Sequence, residues 1–533
     1  MKCMQGSLVF VTYISASANC LNFVLETDMD IIEIIDSYAA AHPDRFAHIL
    51  RENTITYKNL FIKSNRLANF LINQFDFDKT PIIVYGHKQN EMLVSFLACA
   101  KAGHAYIPVD SSLPQSRVEE IINNAKSKMI ICIDNYEPLD KKCEILDSDK
   151  LQRIFGKYDN TTPDKSYRVK ETDVYYIIYT SGSTGKPKGV QITLANLHSF
   201  IRWSVPLANV GESRAPVILN AAPFSFDLSV MDVYISLAVG GTLFSIDKDM
   251  IANARELFTY LNKSNASVCV CTPSFADMCL ADSSFNSILL PNIKCFLFCG
   301  ETLTNRTANK LLQSFPLAKV VNLYGPTETT VAVTEVTIDQ DVCDHISPLP
   351  VGRVKNDCEI LIMDTAGNLV PESGHGEIVI AGESVSVGYY DNPEMTEKTF
   401  FVYDGKCAYR TGDEGYLKDG MLYYCGRLDF QVKLNGYRIE IEDIENNIRK
   451  LNSVENAFVV PSFSDEKLTH LNAFVVLKDK KADKSLKGII AFKRNLKELI
   501  PEYMVPKKII FKDKFLLNSN GKIDRKTLSR EVK

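Results

Sequence analysis

Several things are missing from these 533 residues. Past the first thirty residues no stretch approaches the ~18 uninterrupted apolar residues that a membrane-crossing helix needs, which argues against membrane insertion. Basic residues do not outnumber acidic ones. With 60 Lys and Arg against 65 Asp and Glu, a formal charge of -5 and a pI near 6.0, there is no broad positive field to hold nucleic acid or anionic lipid. The 14 cysteines include no C-x-x-C pair, so zinc ribbons and thioredoxin-type redox motifs are unsupported. They read as free core thiols of a reducing, cytoplasmic compartment. The 8 histidines are scattered without H-E-x-x-H or a comparable metal spacing. What is left is an ordinary globular composition, 46% hydrophobic and 23% charged, too long for one core and suited to an enzyme of small molecules.

The first 27 residues stand apart. An early Lys2, an apolar run from Leu8 to Ile14 and an A-x-A at Ala16 to Ala18 mimic a secretory signal, but the basic end is weak. Residues 1–27 are read as an extension of doubtful status, with a spurious upstream start, a loose extension and a cleaved signal all left open.

From Asp30 onward, helical and strand-like stretches alternate. "IIEIIDSYAAAHPD" has helical spacing; "PIIVYG", "NEMLVSFLACAKAG", "AYIPVD", "RVEEIINNAKS" and "KMIICID" follow in strand and helix order. That grammar predicts an α/β fold with a largely parallel sheet. Beyond Pro350, short strands with Gly turns such as "GEIVIAG" and "MLYYCG" predict a β-rich subdomain. The last hundred residues mix a helix, "IEDIENNIRK", with strands "ENAFVV" and "LNAFVVL", and the lysines from Lys478 to Lys487 read as a solvated loop.

One stretch carries chemistry. "YTSGSTGKPKGV", Tyr179 to Val190, packs four Ser/Thr hydroxyls, three glycines and two lysines behind a strand. Gly182, Gly185 and Gly189 let backbone amides turn toward an anion, while Thr180, Ser181, Ser183 and Thr184 add hydroxyl donors beside Lys188. No G-x-x-x-x-G-K-[ST] fits over it, so it is not a Walker A loop. The bland alternative is a flexible Gly/Ser turn.

The loop resembles that of adenylate-forming enzymes, and so do "NLYGPTETT" (Asn322 to Thr330), "YRTGD" (Tyr409 to Asp413), "GRLDFQVKLNGYRIE" (Gly426 to Glu440) and "NGKIDR" (Asn520 to Arg525). These motifs keep the family's order along most of the chain. Within that superfamily, "APFSFDLSVMDVY", "FCGE" and "YGPTETTVAVT" most resemble the branch that loads D-alanine onto a carrier protein for teichoic acid modification.

The resemblance implies a large N-terminal domain, residues 28–428, holding parallel-sheet α/β subdomains plus a β-rich one. A small mobile α+β domain, residues 429–533, would swing about Asp429 as a hinge. It also implies roles. Lys522 would bridge the substrate carboxylate and the α-phosphate of ATP. Glu328 would hold Mg²⁺ against the triphosphate. Asn322 and Tyr324 would cup adenine, with Leu323, Gly325, Pro326 and Thr327 also binding ATP, Asp413 would take the ribose hydroxyls, and Tyr424, Cys425, Gly426 and Arg427 would line the same nucleotide. Asp227 would receive an α-ammonium, against the plainer reading of an Asp starting a capped turn. Leu228, Met231, Leu297, Cys299, Leu323, Val331 and Ala332 would wall a pocket for a small side chain, with Cys299 favouring the D-enantiomer. The chain ends eight residues after Arg525, so the acceptor thiol, a phosphopantetheine on a separate carrier protein, is expected in trans. Another small amino acid activated for peptide synthesis, or an acyl-CoA synthetase, stays open as an alternative.

Overall fold

The computed structural model describes residues 30–137, 143–182, 186–208, 215–464, 467–479, 482–515 and 531. The extension 1–27, Ser183, Thr184, Gly185 and the whole "NGKIDR" stretch with Lys522 lie outside the described residues. The described residues divide into two compact units: those within 30–111, 126–178 and 190–426 form one, and those within 112–125, 179–189 and 427–531 the other.

Two large sheets organise the first unit. One has six strands, in the order Glu144–Leu146, Met129–Cys132, Ile82–Gly86, Tyr106–Asp110, Val174–Thr180, Lys188–Thr193. Its registered pairs from Glu144–Leu146 to Val174–Thr180 are parallel. The other has nine strands. Its parallel centre runs Cys295–Phe298, Val268–Cys271, Val217–Asn220, Thr242–Ser245, Phe46–Leu50, and antiparallel strands such as Thr334–Ile338 and Asn53–Thr56 lie toward its edges.

The sequence explains this arrangement. "VCVC" and "CFLF" are apolar at every position and every residue is buried, as strands covered on both faces must be. Helices cover those faces. The helix Leu194–Leu207 opens on a reciprocal capping box, Thr193 with Asn196, and Pro273 sits in the first turn of Pro273–Leu280 behind a Thr272 cap. Both devices satisfy amides that a helix start leaves unpaired. One contiguous apolar core takes residues from both sheets, including Val84, Tyr106, Leu243, Leu297 and Val321.

Beyond Pro350 the expected change of grammar is real. Cys358–Met363, Gly376–Gly382, Lys406–Lys418 and Phe400–Tyr403 form an antiparallel sheet, with Met421–Arg427 added on Lys406–Lys418. In the second unit, Val454–Ser464 pairs antiparallel and Lys508–Lys512 parallel with Lys467–Leu477. The helices Ile441–Lys450 and Leu486–Lys497 cover this sheet with Ile444, Ile448, Phe492 and Leu496. Most cysteines are free and buried, as expected, but Cys407 and Cys425 are exposed. Both lie on the antiparallel strands, a one-sided setting that composition cannot distinguish from a core.

Candidate active site

In the first unit the site is built where parallel strands end and loops begin, the usual place for ligands on an open α/β sheet. The strand Lys319–Tyr324 delivers "NLYGPTETT" there. Its members are almost entirely out of solvent, so each polar atom needs a partner. Asn322 Nδ2 donates to the Pro350 carbonyl at 2.8 Å. Tyr324 Oη donates to Asp413 Oδ2 at 2.6 Å, and both residues are buried. Burial, then the Asp413 charge, pushes the Tyr324 phenol well above its ordinary range, so it stays a protonated donor. Asp413 is also fixed from its backbone, whose N–H donates to Thr411 Oγ1 at 3.0 Å. The Tyr424 ring lies 6.0 Å from that of Tyr324, tilted by 40°.

The motif then folds tightly on itself. Gly325 has no room for a side chain, since a Cβ would come within 2.6 Å of Ala332 Cα. Pro326 leads into a single 3₁₀ turn, Thr327–Thr329, after which Thr330 and Val331 take φ of 58° and 68°. Two successive non-glycine residues there, both β-branched, store backbone strain that only a well-braced surrounding sustains. The bracing is visible. Thr330 Oγ1 donates to the Ser384 carbonyl at 2.8 Å, and Cys299 Sγ lies 3.7 Å from the Val331 carbonyl. Cys299 follows directly on the strand Cys295–Phe298 and is itself buried. Leu228, Met231, Leu297, Leu323 and Ala332 are buried with it in one apolar cluster.

Glu328 is 0% exposed, and its Oε1 accepts from Tyr389 Oη at 2.7 Å. Among the described residues no three His, Cys, Asp or Glu side chains converge as a metal cage. The Glu328 carboxylate is an oxygen donor of the kind a hard cation takes. Tyr389 was not legible as a site residue in the sequence, because a lone tyrosine in "GYYDNP" carries no motif spacing.

Asp227 immediately precedes the helix Leu228–Ala238. Its φ and ψ, -62° and -28°, are already helical and its side chain makes no cap hydrogen bond, so the capped-turn alternative does not hold. It is half-buried at a helix start, where the backbone dipole favours a carboxylate.

Thr180, Ser181, Gly182, Lys188, Arg427 and Asp429 belong to the second unit. Thr180 Oγ1 is buried and has no hydrogen-bond partner among the described residues. Ser181 Oγ donates to the Arg438 carbonyl at 2.9 Å and accepts from the Glu440 N–H at 3.2 Å, so here its hydroxyl serves backbone. Gly182 is buried beside it and Lys188 half-buried. Arg427 makes a bidentate pair with Asp429, Nε to Oδ1 at 2.8 Å and Nη2 to Oδ2 at 2.5 Å. Burial raises the Asp429 pKa, but this guanidinium, the Gln431 N–H and Arg438 together more than offset it, leaving the carboxyl below its ordinary value. Gly426 and the exposed Cys425 end the first unit just before Arg427.

Among the described residues no helix is long and apolar enough to cross a membrane. The family model of AMP-binding enzymes matches residues 35–390, and that of the AMP-binding enzyme C-terminal domain matches residues 443–522. The chain is similar to D-alanine--D-alanyl carrier protein ligases of Bacillus cereus and Bacillus thuringiensis, each 48% identical over 504 residues, covering 95% of this chain and 100% of the relative. Among solved structures, an adenylation domain, AlmE of Vibrio cholerae, in complex with glycyl-adenosine-5'-phosphate superposes with a TM-score of 0.79 at 22% identity, over 95% of this chain and 98% of the other. The o-succinylbenzoate CoA synthetase of Bacillus subtilis gives 0.79 at 20% identity, over 95% and 99%. At such identities these two likenesses speak for the fold.

Proposed function

The chain belongs to the AMP-binding enzyme family, and from that premise we propose that it is an AMP-forming ligase that activates D-alanine and passes it to a carrier protein. The observation that carries the reading is the 48% identity, over 95% of the chain, to ligases of that name. The site supports it: a half-buried carboxylate at Asp227, at a helix start, and a buried, mostly apolar wall around Cys299 suit an amino acid with a methyl side chain.

In the first step a D-alanine carboxylate oxygen attacks the α-phosphorus of ATP. The bond to the β-phosphate bridging oxygen breaks, and pyrophosphate leaves with its electron pair. Charge grows on phosphoryl oxygens, so placed cations and donors lower the barrier. Lys522 is proposed as the ammonium between the substrate carboxylate and the α-phosphate, and Thr180, Ser181, Ser183, Thr184 and Lys188 as phosphate donors. Mg²⁺, held by Glu328, would neutralise triphosphate charge. Asp413, set by Tyr324, would accept from both ribose hydroxyls, as a carboxylate can; Asn322, Tyr424 and Arg427 would flank the nucleotide. Asp227 would pair with the α-ammonium. That pairing makes a half-buried carboxylate useful and disfavours plain fatty acids.

In the second step the thiolate of a phosphopantetheine attacks the acyl carbonyl, and AMP leaves. The acceptor is proposed to be a carrier protein supplied in trans in the cytoplasm, for D-alanylation of teichoic acids. The small domain, residues 429–533, is proposed to turn about Asp429 between the two steps, a gating that fits two reactions at one site.

Amino-acid-dependent ATP–pyrophosphate exchange with purified protein tests this. D-Alanine is expected to give the highest kcat/KM among D- and L-alanine, glycine and the other common amino acids. A preference for any other amino acid, or a coenzyme A thioester as product, overturns it. Lys522→Ala is expected to abolish exchange while sparing thioester formation from supplied D-alanyl adenylate, and equal loss of both would remove Lys522 from its assigned role.

A further inference from the structure

Behind Asp227 lies a buried polar cluster that the proposed reaction does not use. Lys88 follows the strand Ile82–Gly86 and is 1% exposed, yet its ammonium is not lost in the core. Nζ donates to three backbone carbonyls, Ile246 at 2.7 Å, Ala221 at 2.9 Å and Asn220 at 3.3 Å. Those carbonyls sit at the ends of two neighbouring parallel strands, Val217–Asn220 and Thr242–Ser245: Asn220 is in the last ladder pair and also accepts from the Ile246 N–H at 2.9 Å, while Ala221 and Ile246 are the first residues past the strands. An ammonium is the one side-chain group offering three protons from a single atom.

Asn220 carries the arrangement forward. Its Nδ2 donates to the Ala222 carbonyl and to Asp232 Oδ2, both at 2.9 Å, while its Oδ1 accepts from Ser245 Oγ at 2.8 Å. Ser245 in turn meets His48 Nε2 at 2.9 Å. Asp232 lies on the helix that Asp227 precedes. The loop from Ala221 to Asp227 is therefore tied at its first residues by Lys88 and Asn220, and at its far end through Asp232. Phe224, in its middle, is buried against His48 and Phe96. A buried ammonium is held only where a specific geometry rewards it: burial lowers the lysine pKa, which stands at about 7 even with the raising pull of Asp232, Asp110 and Asp247.

We propose that Lys88 is a positioning residue for amino-acid recognition, clamping the two strand ends from which the Ala221–Asp227 loop departs so that the Asp227 carboxylate is presented to the substrate ammonium. The proposal rests on the assignment of Asp227 made above. It adds a residue that never touches substrate.

Lys88→Met keeps the stem and removes the three donors. In pyrophosphate exchange, KM for D-alanine is expected to rise about tenfold with KM for ATP within about twofold of the parent, because a misplacement of even ~1 Å at a recognition group costs this much or more. Equal rises in both KM values, or no rise, overturn the clamp. In an Asp227→Asn background, adding Lys88→Met is expected to change the D-alanine KM by less than about twofold, as coupled residues do; two independent, multiplying effects also overturn it. Should Lys88→Met fail to fold, Ser245→Ala, which loosens Asn220 by one hydrogen bond, decides: a rise of about threefold in D-alanine KM alone supports the clamp and none refutes it. Asp227→Asn by itself separates the two claims. If it leaves D-alanine KM unchanged, the assignment of Asp227 falls. If it raises KM while Lys88→Met is silent, only the clamp falls.

Discussion

Replacing Tyr324 by Phe removes one oxygen and leaves the ring in place among Val333, Ile378 and Tyr409, with which it packs. What is lost is a 2.6 Å bond from a protonated phenol to a buried carboxylate. A hydrogen bond to a charged group contributes ~1.5 to 3 kcal/mol, and the carboxylate left behind has no bulk water to replace it. Asp413 keeps the bond from its own N–H to Thr411, which fixes the backbone but not the direction of Oδ2. If Asp413 takes the ribose hydroxyls, the misdirected carboxylate should cost about 1.4 kcal/mol in ATP binding, or about tenfold in KM. The assay is pyrophosphate exchange with ATP varied at saturating D-alanine, then the converse. ATP KM is expected to rise about tenfold and D-alanine KM to stay within about twofold of the parent. With 2',3'-dideoxy-ATP, which lacks both hydroxyls, Tyr324→Phe and the parent should become equal. An unchanged ATP KM, or a penalty that persists with the dideoxy nucleotide, refutes the role given to the Tyr324–Asp413 pair.

Cys299→Ala removes the sulfur facing the Val331 carbonyl. One methyl-sized group in a small pocket discriminates by ~1 to 3 kcal/mol, so the D-over-L preference for alanine in kcat/KM is expected to fall at least about fivefold; an unchanged ratio counts against Cys299 as an enantiomer gate. His48 titrates differently in folded and unfolded chains. Burial, with help from nearby Lys88 and against the Asn90 contact, lowers its pKa to about 4. The unfolded chain therefore takes up the proton first as pH falls, and the stability His48 contributes is present above about pH 6.5 and lost toward pH 4. Between pH 7 and pH 5 that loss comes to about 2 kcal/mol. Urea unfolding at the two pH values should show a drop smaller by this amount in His48→Gln, and identical drops would place the titration elsewhere.

Much of this site is visible as text. The turn "YGPTETT" needs Gly325 where a Cβ would strike Ala332, and Asp413 follows a Gly inside a strand, so both are punctuated by residues with few conformational substitutes. Fully apolar runs such as "VCVC" are compatible with little besides a covered parallel strand. Tyr389 and Lys88 were not visible. Tyr389 reaches Glu328 across 61 residues and Lys88 reaches Ile246 across 158, and neither has a local pattern. The same holds for the strain at Thr330 and Val331, whose residue types give no warning of positive φ. Ser181 adds a contact the sequence did not announce: its hydroxyl, read from a donor-rich loop, also donates to the carbonyl of Arg438 on a distant strand.

By itself the sequence determined the alternation of strands and helices, the family of the chain and the residue types available for chemistry. These follow from local periodicity and from motifs whose backbone demands are met by few amino acids. Tertiary structure alone decided which polar groups are consumed by the protein itself and which are left facing a ligand. That choice depends on carbonyls and hydroxyls brought together from distant segments, where burial makes every unpaired donor or acceptor expensive and so dictates each partner.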